Sequence, residues 1–216
     1  VRYSVRFLDN VIDATPYHFA ENRDNQLNER RVGLGTMGLA EMLIRLGIRY
    51  GSDESLEFLD ELYGFIAKEA YKASIDIAAE KGAFPAWESE MYLRNETSDT
   101  LTFAGEIIED FDRYDGEYYE KYHRTGIRNV TLLTQAPTGS TGTMVDTSTG
   151  IEPYFAFEYY RQSRLGFDKQ YVRVAQEWKD AHPGEELPDY FVTAQDLSAE
   201  DHVRVQAAIQ RWVDSS

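Results

Sequence analysis

The sequence predicts an α/β fold rich in helix. Three observations carry that expectation. Apolar residues recur at spacings of three and four over long stretches, two short apolar runs are bounded by Gly, Pro and Thr, and helical and strand-like segments alternate along the chain. With 216 residues, 42% of them hydrophobic, the chain can bury one sizeable core.

Taken in order, residues 1–13 read as an amphipathic helix with Val5, Leu8, Val11 and Ile12 on one side, stopped by Pro16. Residues 17–30 are polar and read as loop. Gly35 to Leu46 reads as a helix closed by Gly47. Ser52 is an N-cap, with Asp53 and Glu54 in the first turn behind it. From there Leu56, Leu59, Leu62, Ile66, Ala70, Ala73 and Ile77 trace one buried stripe of a long helix, which Gly82 and Pro85 end. Residues 99–123 are acidic and Tyr-rich and read as one or two exposed helices. Residues 129–134 and 154–163 read as buried strands, 168–180 as helix, and Pro183 to Pro188 as a polar break. Ser198 caps a last helix, with Asp201 at the capping-box position and Val205, Ala208 and Trp212 facing in. Both ends fall within helical pattern, so residues 1–216 read as a single partial domain of a larger fold.

Composition narrows the function. The chain has no cysteine, which excludes disulfides, thiolate metal sites and thiol catalysis by its own residues. Its net charge of −16 repels phosphate backbones, so no nucleic acid is expected as a partner. No apolar run is long enough for a membrane span, and the N-terminal residues lack a signal-peptide core. No membrane is therefore expected as a partner, and a cytoplasmic location is. The basic residues are 16 Arg and 6 Lys, and an acid-rich, lysine-poor surface suits high salt, where repulsion is screened. Unfolding followed against salt concentration checks this: stability should rise toward molar salt, and a flat response would sink the idea.

Several motifs are candidates for chemistry. GLGTMG at 33–38 matches G-x-G-x-x-G through Gly33, Gly35 and Gly38, and Asp53 follows about twenty residues on, where a ribose-binding acid would sit. An NAD(P)-binding oxidoreductase is the reading this permits. The preceding NERRV does not look like a buried strand, Asp53 is better explained as the first turn of the next helix, and close packing of a turn against a neighbouring strand is the reading the glycines favour. Glu120-x-x-His123 is one copy of a di-iron helix motif, but no second copy exists, and His18, His123, His182 and His202 share no ligand spacing. His18 follows Pro16-Tyr17 in polar surroundings, where it either lines a cleft or is simply solvated. The densest signal is APTGSTGT at 136–143, after a strand and where a helix can begin. Pro137 stiffens the entry, Gly139 and Gly142 permit close approach, and Ser140 and Thr141 place hydroxyls beside free backbone N–H groups. Such a cradle holds a phosphate without a lysine. It is not a Walker A loop, and a plain strand–helix turn with capping hydroxyls is the alternative.

Four stretches resemble one family in that family's order. PTGSTGTMVDTSTGIEPYF from residue 137 is similar to the C-terminal barrel region of the ribonucleotide reductase large chain, most of all the adenosylcobalamin-dependent class II. RFLDNVIDATPY (6–17), NERRVGLGTMGLAEMLIRLGIRYGS (28–52) and AAEKGAFPAW (78–87) resemble three further segments of it. The resemblance implies the helix-rich C-terminal half of a ten-stranded α/β barrel. It implies a part in making 2′-deoxyribonucleotides from ribonucleotides by thiyl-radical chemistry. It also implies that Pro137, Thr138, Gly139, Ser140 and Thr141 hold the substrate phosphates. Adenosylcobalamin would be the cofactor of the complete enzyme and a thioredoxin-type protein its reductant. The departures are the family's radical and reducing cysteines and its N-x-C-x-E pattern, which this sequence lacks. A missing N-terminal half or a cysteine-bearing partner chain would have to supply them, and without either the chain would be a catalytically silent interaction module. Asp146 stands where a small residue such as Gly is expected, and an acid there would repel a phosphate if it pointed inward.

Overall fold

A computed structural model describes residues 1–88, 102–163 and 166–214. Its elements in chain order are α1 (Arg2–Ala14), α2 (Ala20–Glu29), α3 (Leu39–Leu46), α4 (Asp53–Lys81), α5 (Phe103–Tyr114), α6 (Gly116–Thr125), α7 (Gly139–Met144), β1 (Glu158–Ser163), β2 (Gly166–Tyr171), α8 (Arg173–Ala181) and α9 (Ala199–Gln210). The described residues divide into two compact units. One is drawn from Val1–Leu34, Glu61–Thr134 and Gln210–Ser216, the other from Gly35–Asp60 and Gln135–Ile209.

In the first unit α1 runs as the sequence predicts. Thr15 is extended, as the residue before a proline must be, and the helix stops at Ala14. Val5 and Ile12 are buried, but Val11 is exposed and the fully buried place between them belongs to Asp9. Residues 17–30 are not all loop: they contain α2. None of its residues is buried, so it carries no apolar stripe for periodicity to detect. Glu61–Lys81 of α4 buries Tyr63, Ala67, Ala70, Tyr71, Ala73, Ile75, Ile77 and Ala78. That is wider than one stripe, because toward its C-terminal end the helix is covered on most sides. The expectation of exposed helices over 99–123 is corrected within the described residues: α5 buries Ala104, Ile107, Ile108 and Phe111, and α6 buries Tyr122. Thr102 caps α5, its hydroxyl accepting the Gly105 N–H at 3.1 Å. Residues 99–101 lie outside the described residues.

Residues 129–134 are buried at Leu132 and Leu133, yet among the described residues Leu133 pairs with Leu34 in an isolated parallel bridge instead of a regular strand. Main-chain bonds from Val130 to Glu29, Val32 to Thr131 and Leu34 to Leu132 accompany it. NERRV, which does not look like a strand, therefore leads into the pairing partner. Arg30 interrupts regularity there with φ +50°. Its reward is a buried polar centre. The Asp9 carboxylate is fully buried and accepts from Arg30 Nε at 2.8 Å, Asn129 Nδ2 at 3.1 Å and Lys81 Nζ at 3.3 Å. Arg30 also bonds both oxygens of Asp13, and Asn129 is held in turn by the Ser74 hydroxyl at 2.8 Å.

In the second unit Ser52 caps α4 as expected, accepting the Ser55 N–H at 3.1 Å. Helix α3 begins at Leu39, later than the sequence suggests, because Gly38 adopts φ +83° and serves as its N-cap. Gly47 closes it in the left-handed conformation. The strand expected from 154 starts at Glu158, and residues 168–171, expected as helix, are the end of β2. The two strands form an antiparallel hairpin with Glu158 opposite Tyr171. Pairing across the hairpin supplies backbone bonds that a local helical pattern could not match. Ile44, Phe157, Val174, Ala175 and Phe191 form the core, with Tyr154, Trp178 and Tyr190 packed against it. At the start of α9 the capping box is reciprocal: Asp201 N–H donates to Ser198 Oγ at 3.1 Å and Ser198 N–H to Asp201 Oδ2 at 3.0 Å. Val205 and Ile209 are buried, whereas Trp212 lies past the helix in the first unit, against Gly64. No described helix is long and apolar enough to cross a membrane.

Candidate functional site

Residues 137–141 open the short helix α7. Pro137, Gly139, Ser140 and Thr141 are exposed and Thr138 is partly so. An added Cβ on Gly139 would meet nothing within 4 Å, so this side of the turn is open. The first intrahelical bond runs from Gly142 N–H to Thr138 O at 2.7 Å, and the N–H groups ahead of it have no helical acceptor. Thr138 is left-handed, with φ +45°. For a β-branched residue that is strained by about 1–2 kcal/mol, and such strain persists only where neighbours hold it. Here the Thr138 hydroxyl accepts the Gly150 N–H at 2.7 Å.

A buried carboxylate stands behind this turn. Glu41, 6% exposed, lies on the apolar face of α3 among Leu39, Ala40, Leu43 and Ile44. One of its oxygens accepts from Arg45 at 2.8 Å and Arg173 at 3.1 Å, the other from the Thr147 hydroxyl at 2.7 Å and Tyr154 OH at 3.3 Å. Burial opposes its ionisation, and the bonds from Thr147 and Arg45 with the field of Arg173 overcome it, holding Glu41 below the usual carboxylate range. Burial, then the Glu41 charge, push the Tyr154 phenol upward. Asp146 has φ +57°, a conformation that favours glycine, which accounts for the small residue expected there. Its carboxylate lies 3.5 Å from Arg173 Nε, so its charge is paired. Beside this segment a cleft of about 750 Å³ is lined by Thr143, Asp146, Glu152, Phe155, Tyr159 and His202, among others.

The other motifs find structural employment. A Cβ on Gly33 would fall 2.7 Å from Thr134 Cγ2, and one on Gly38 2.9 Å from Thr147 Oγ1, so these two glycines permit close packing. Asp53 sits in the first turn of α4, paired with Arg204. His123 packs edge-on against Tyr119 and Tyr122, His182 stacks on Trp178, His202 faces the Ala194 carbonyl and His18 is exposed beside Phe19. Among the described residues no three His, Cys, Asp or Glu side chains are grouped to hold a metal ion.

A family model, ribonucleotide reductase barrel domain, matches residues 1–216. The chain belongs to the ribonucleotide reductase barrel-domain family. Among relatives of this reductase barrel, a vitamin B12-dependent ribonucleoside-diphosphate reductase of Thermoplasma acidophilum is 32% identical over 98% of this chain and 27% of the relative. One of the same name from Mycobacterium tuberculosis is 31% identical over 99% of the chain and 30% of the relative. The ribonucleoside-diphosphate reductase subunit alpha of Helicobacter pylori, whose name carries no B12 label, is 31% identical over 97% of the chain and 26% of the relative. The chain thus spans less than a third of these reductases. Sequence reasoning missed the buried carboxylates Asp9 and Glu41. The available signal was an acid inside an apolar stripe: Asp9 between Val5 and Ile12, and Glu41 within LAEMLI.

Proposed function

We propose that this chain is the C-terminal part of a ribonucleotide reductase barrel, a single partial domain over 1–216 of the ten-stranded type. In it, Pro137, Thr138, Gly139, Ser140 and Thr141 hold the phosphates of the ribonucleotide substrate. The observation that carries this reading is the family match over the whole chain, joined to an exposed, open turn whose leading N–H groups have no helical acceptor. The complete enzyme would convert ribonucleotides to 2′-deoxyribonucleotides through a thiyl radical. With no cysteine in this sequence, the radical and reducing thiols come from residues outside it. Relatives named as B12-dependent support adenosylcobalamin as cofactor of the complete enzyme, where it would supply the radical.

The test is nucleotide binding by the complete reductase carrying Gly139→Val or Ser140→Ala. Valine at 139 meets open space in the fold, so it should leave stability nearly unchanged while filling the approach to the turn. Ser140→Ala removes one bond to a charged ligand and should weaken ribonucleoside diphosphate binding about tenfold or more. Unchanged affinity in both variants would refute the phosphate assignment.

A further inference from the structure

We propose that Glu41 is a positioning residue for the turn at 137–141, acting through the Asp146–Gly150 segment; this rests on the reading that the turn holds phosphates. The strained Thr138 is held by the Gly150 N–H. Gly150 itself has φ +51°, and an added Cβ would lie 3.2 Å from Pro137 O, so the segment lies directly against the turn. Gly142 is equally close on its side: a Cβ there would fall 3.0 Å from Thr149 Cγ2. Residues 149 and 150 therefore form the template that sets the conformation of 138–142.

What fixes the template is α3. The Gly38 N–H donates to Ser148 O at 2.9 Å, and the Glu41 N–H to Ser148 Oγ at 3.3 Å. The Thr147 hydroxyl donates to Glu41 Oε2, and Arg173 bridges Glu41 Oε1 and the Asp146 carbonyl, each at 3.1 Å. The missing side chain of Gly38 is what lets Thr147 come this close. The two glycine-rich motifs thus work together, one seating the segment that shapes the other. An ionised Glu41 satisfies Thr147 and Arg173 simultaneously through its two oxygens. A glutamine can keep the Thr147 hydroxyl by donating to it, but it removes the charge that holds Arg45 and Arg173, and Arg173 is the group that ties Glu41 to the Asp146 carbonyl.

The experiment uses the complete reductase with its cofactor and compares a ribonucleoside diphosphate with the same nucleoside lacking phosphates. Glu41→Gln and Thr147→Val should each weaken diphosphate binding about tenfold and raise KM with kcat held, while nucleoside binding stays put. Thr147→Ser keeps the hydroxyl and should restore diphosphate affinity. Equal losses for both ligands would mean general loosening and overturn the inference. So would unchanged diphosphate affinity in both variants while Gly139→Val abolishes it. If Gly139→Val and Ser140→Ala leave diphosphate binding intact as well, the phosphate reading fails and this inference falls with it.

Discussion

Replacing Asp9 by alanine is expected to lower the unfolding free energy by about 3–5 kcal/mol, the range for breaking a buried ion pair from one side. Asp9 is 0% exposed and Arg30 3%, so neither charge has water to fall back on. Loss of the carboxylate leaves Arg30 with Asp13 and the Asp9 carbonyl, strips Lys81 of one anion, and removes the acceptor facing Asn129 Nδ2. Asp9→Asn keeps the shape but not the charge and should fall between wild type and alanine. Urea unfolding measures both, and a loss under about 1 kcal/mol for alanine would mean that the network contributes no more than a surface pair. The pH dependence has a definite sign. Burial opposes ionisation of Asp9, the Arg30 bond and charge outweigh it, and its pKa is lowered. A carboxylate with a depressed folded-state pKa stabilises the fold above its unfolded pKa. That stability is lost as pH falls through the folded value. The gap between wild type and Asp9→Ala should therefore hold from neutral pH down to about 5 and close in stronger acid.

Asp214→Ala should lower stability by about 2–4 kcal/mol, because it orphans two buried donors. The Asp214 Oδ2 accepts the Leu132 N–H at 3.1 Å and the Leu133 N–H at 2.8 Å, and Oδ1 accepts Tyr71 OH at 2.9 Å. Leu132 is 0% and Leu133 3% exposed, so water cannot take over. Asp214→Asn retains one oxygen for the two amides, and the tyrosine hydroxyl can turn to accept, so its loss should be small. Here the titration runs opposite to that of Asp9. Burial raises the Asp214 pKa against the hydrogen bonds it accepts, those from the Leu133 and Leu132 amides foremost. A carboxyl raised in the folded state favours folding below its unfolded pKa, and that contribution declines as pH rises through the folded value. Wild type should lose ground to Asp214→Asn as pH climbs out of the usual carboxylate range. Thermal unfolding of the three proteins across pH measures it. Indistinguishable melting of wild type and Asp214→Ala would contradict the role.

Local chemistry was legible where one short segment decided the outcome. The stop at Pro16, the caps at Ser52 and Ser198 and the closing Gly47 all follow from their own neighbours. The long helix was visible because its stripe repeats over many turns. Helix α2 was not, since no buried face marks it, and residues 168–171 became strand only through a partner across a hairpin. The turn at 137–141 was legible from its residue types alone. Glu41, which is bonded to Thr147 at a sequence distance of 106, was not, because nothing local says where that carboxylate goes.

The parallel bridge has a consequence for how the chain is made. Thr131 bonds Val32 O across 99 residues of sequence, and closing such a loop carries an entropy on the order of 4 kcal/mol before any contact repays it. A ribosome must deliver residues 130–134 before Val32 and Leu34 find their acceptors. Until then α1 and α4 can form from local signals, but the 32–34 main chain stays unpaired and open to other strands. Nascent chains arrested short of residue 130 are expected to be the ones that need a chaperone.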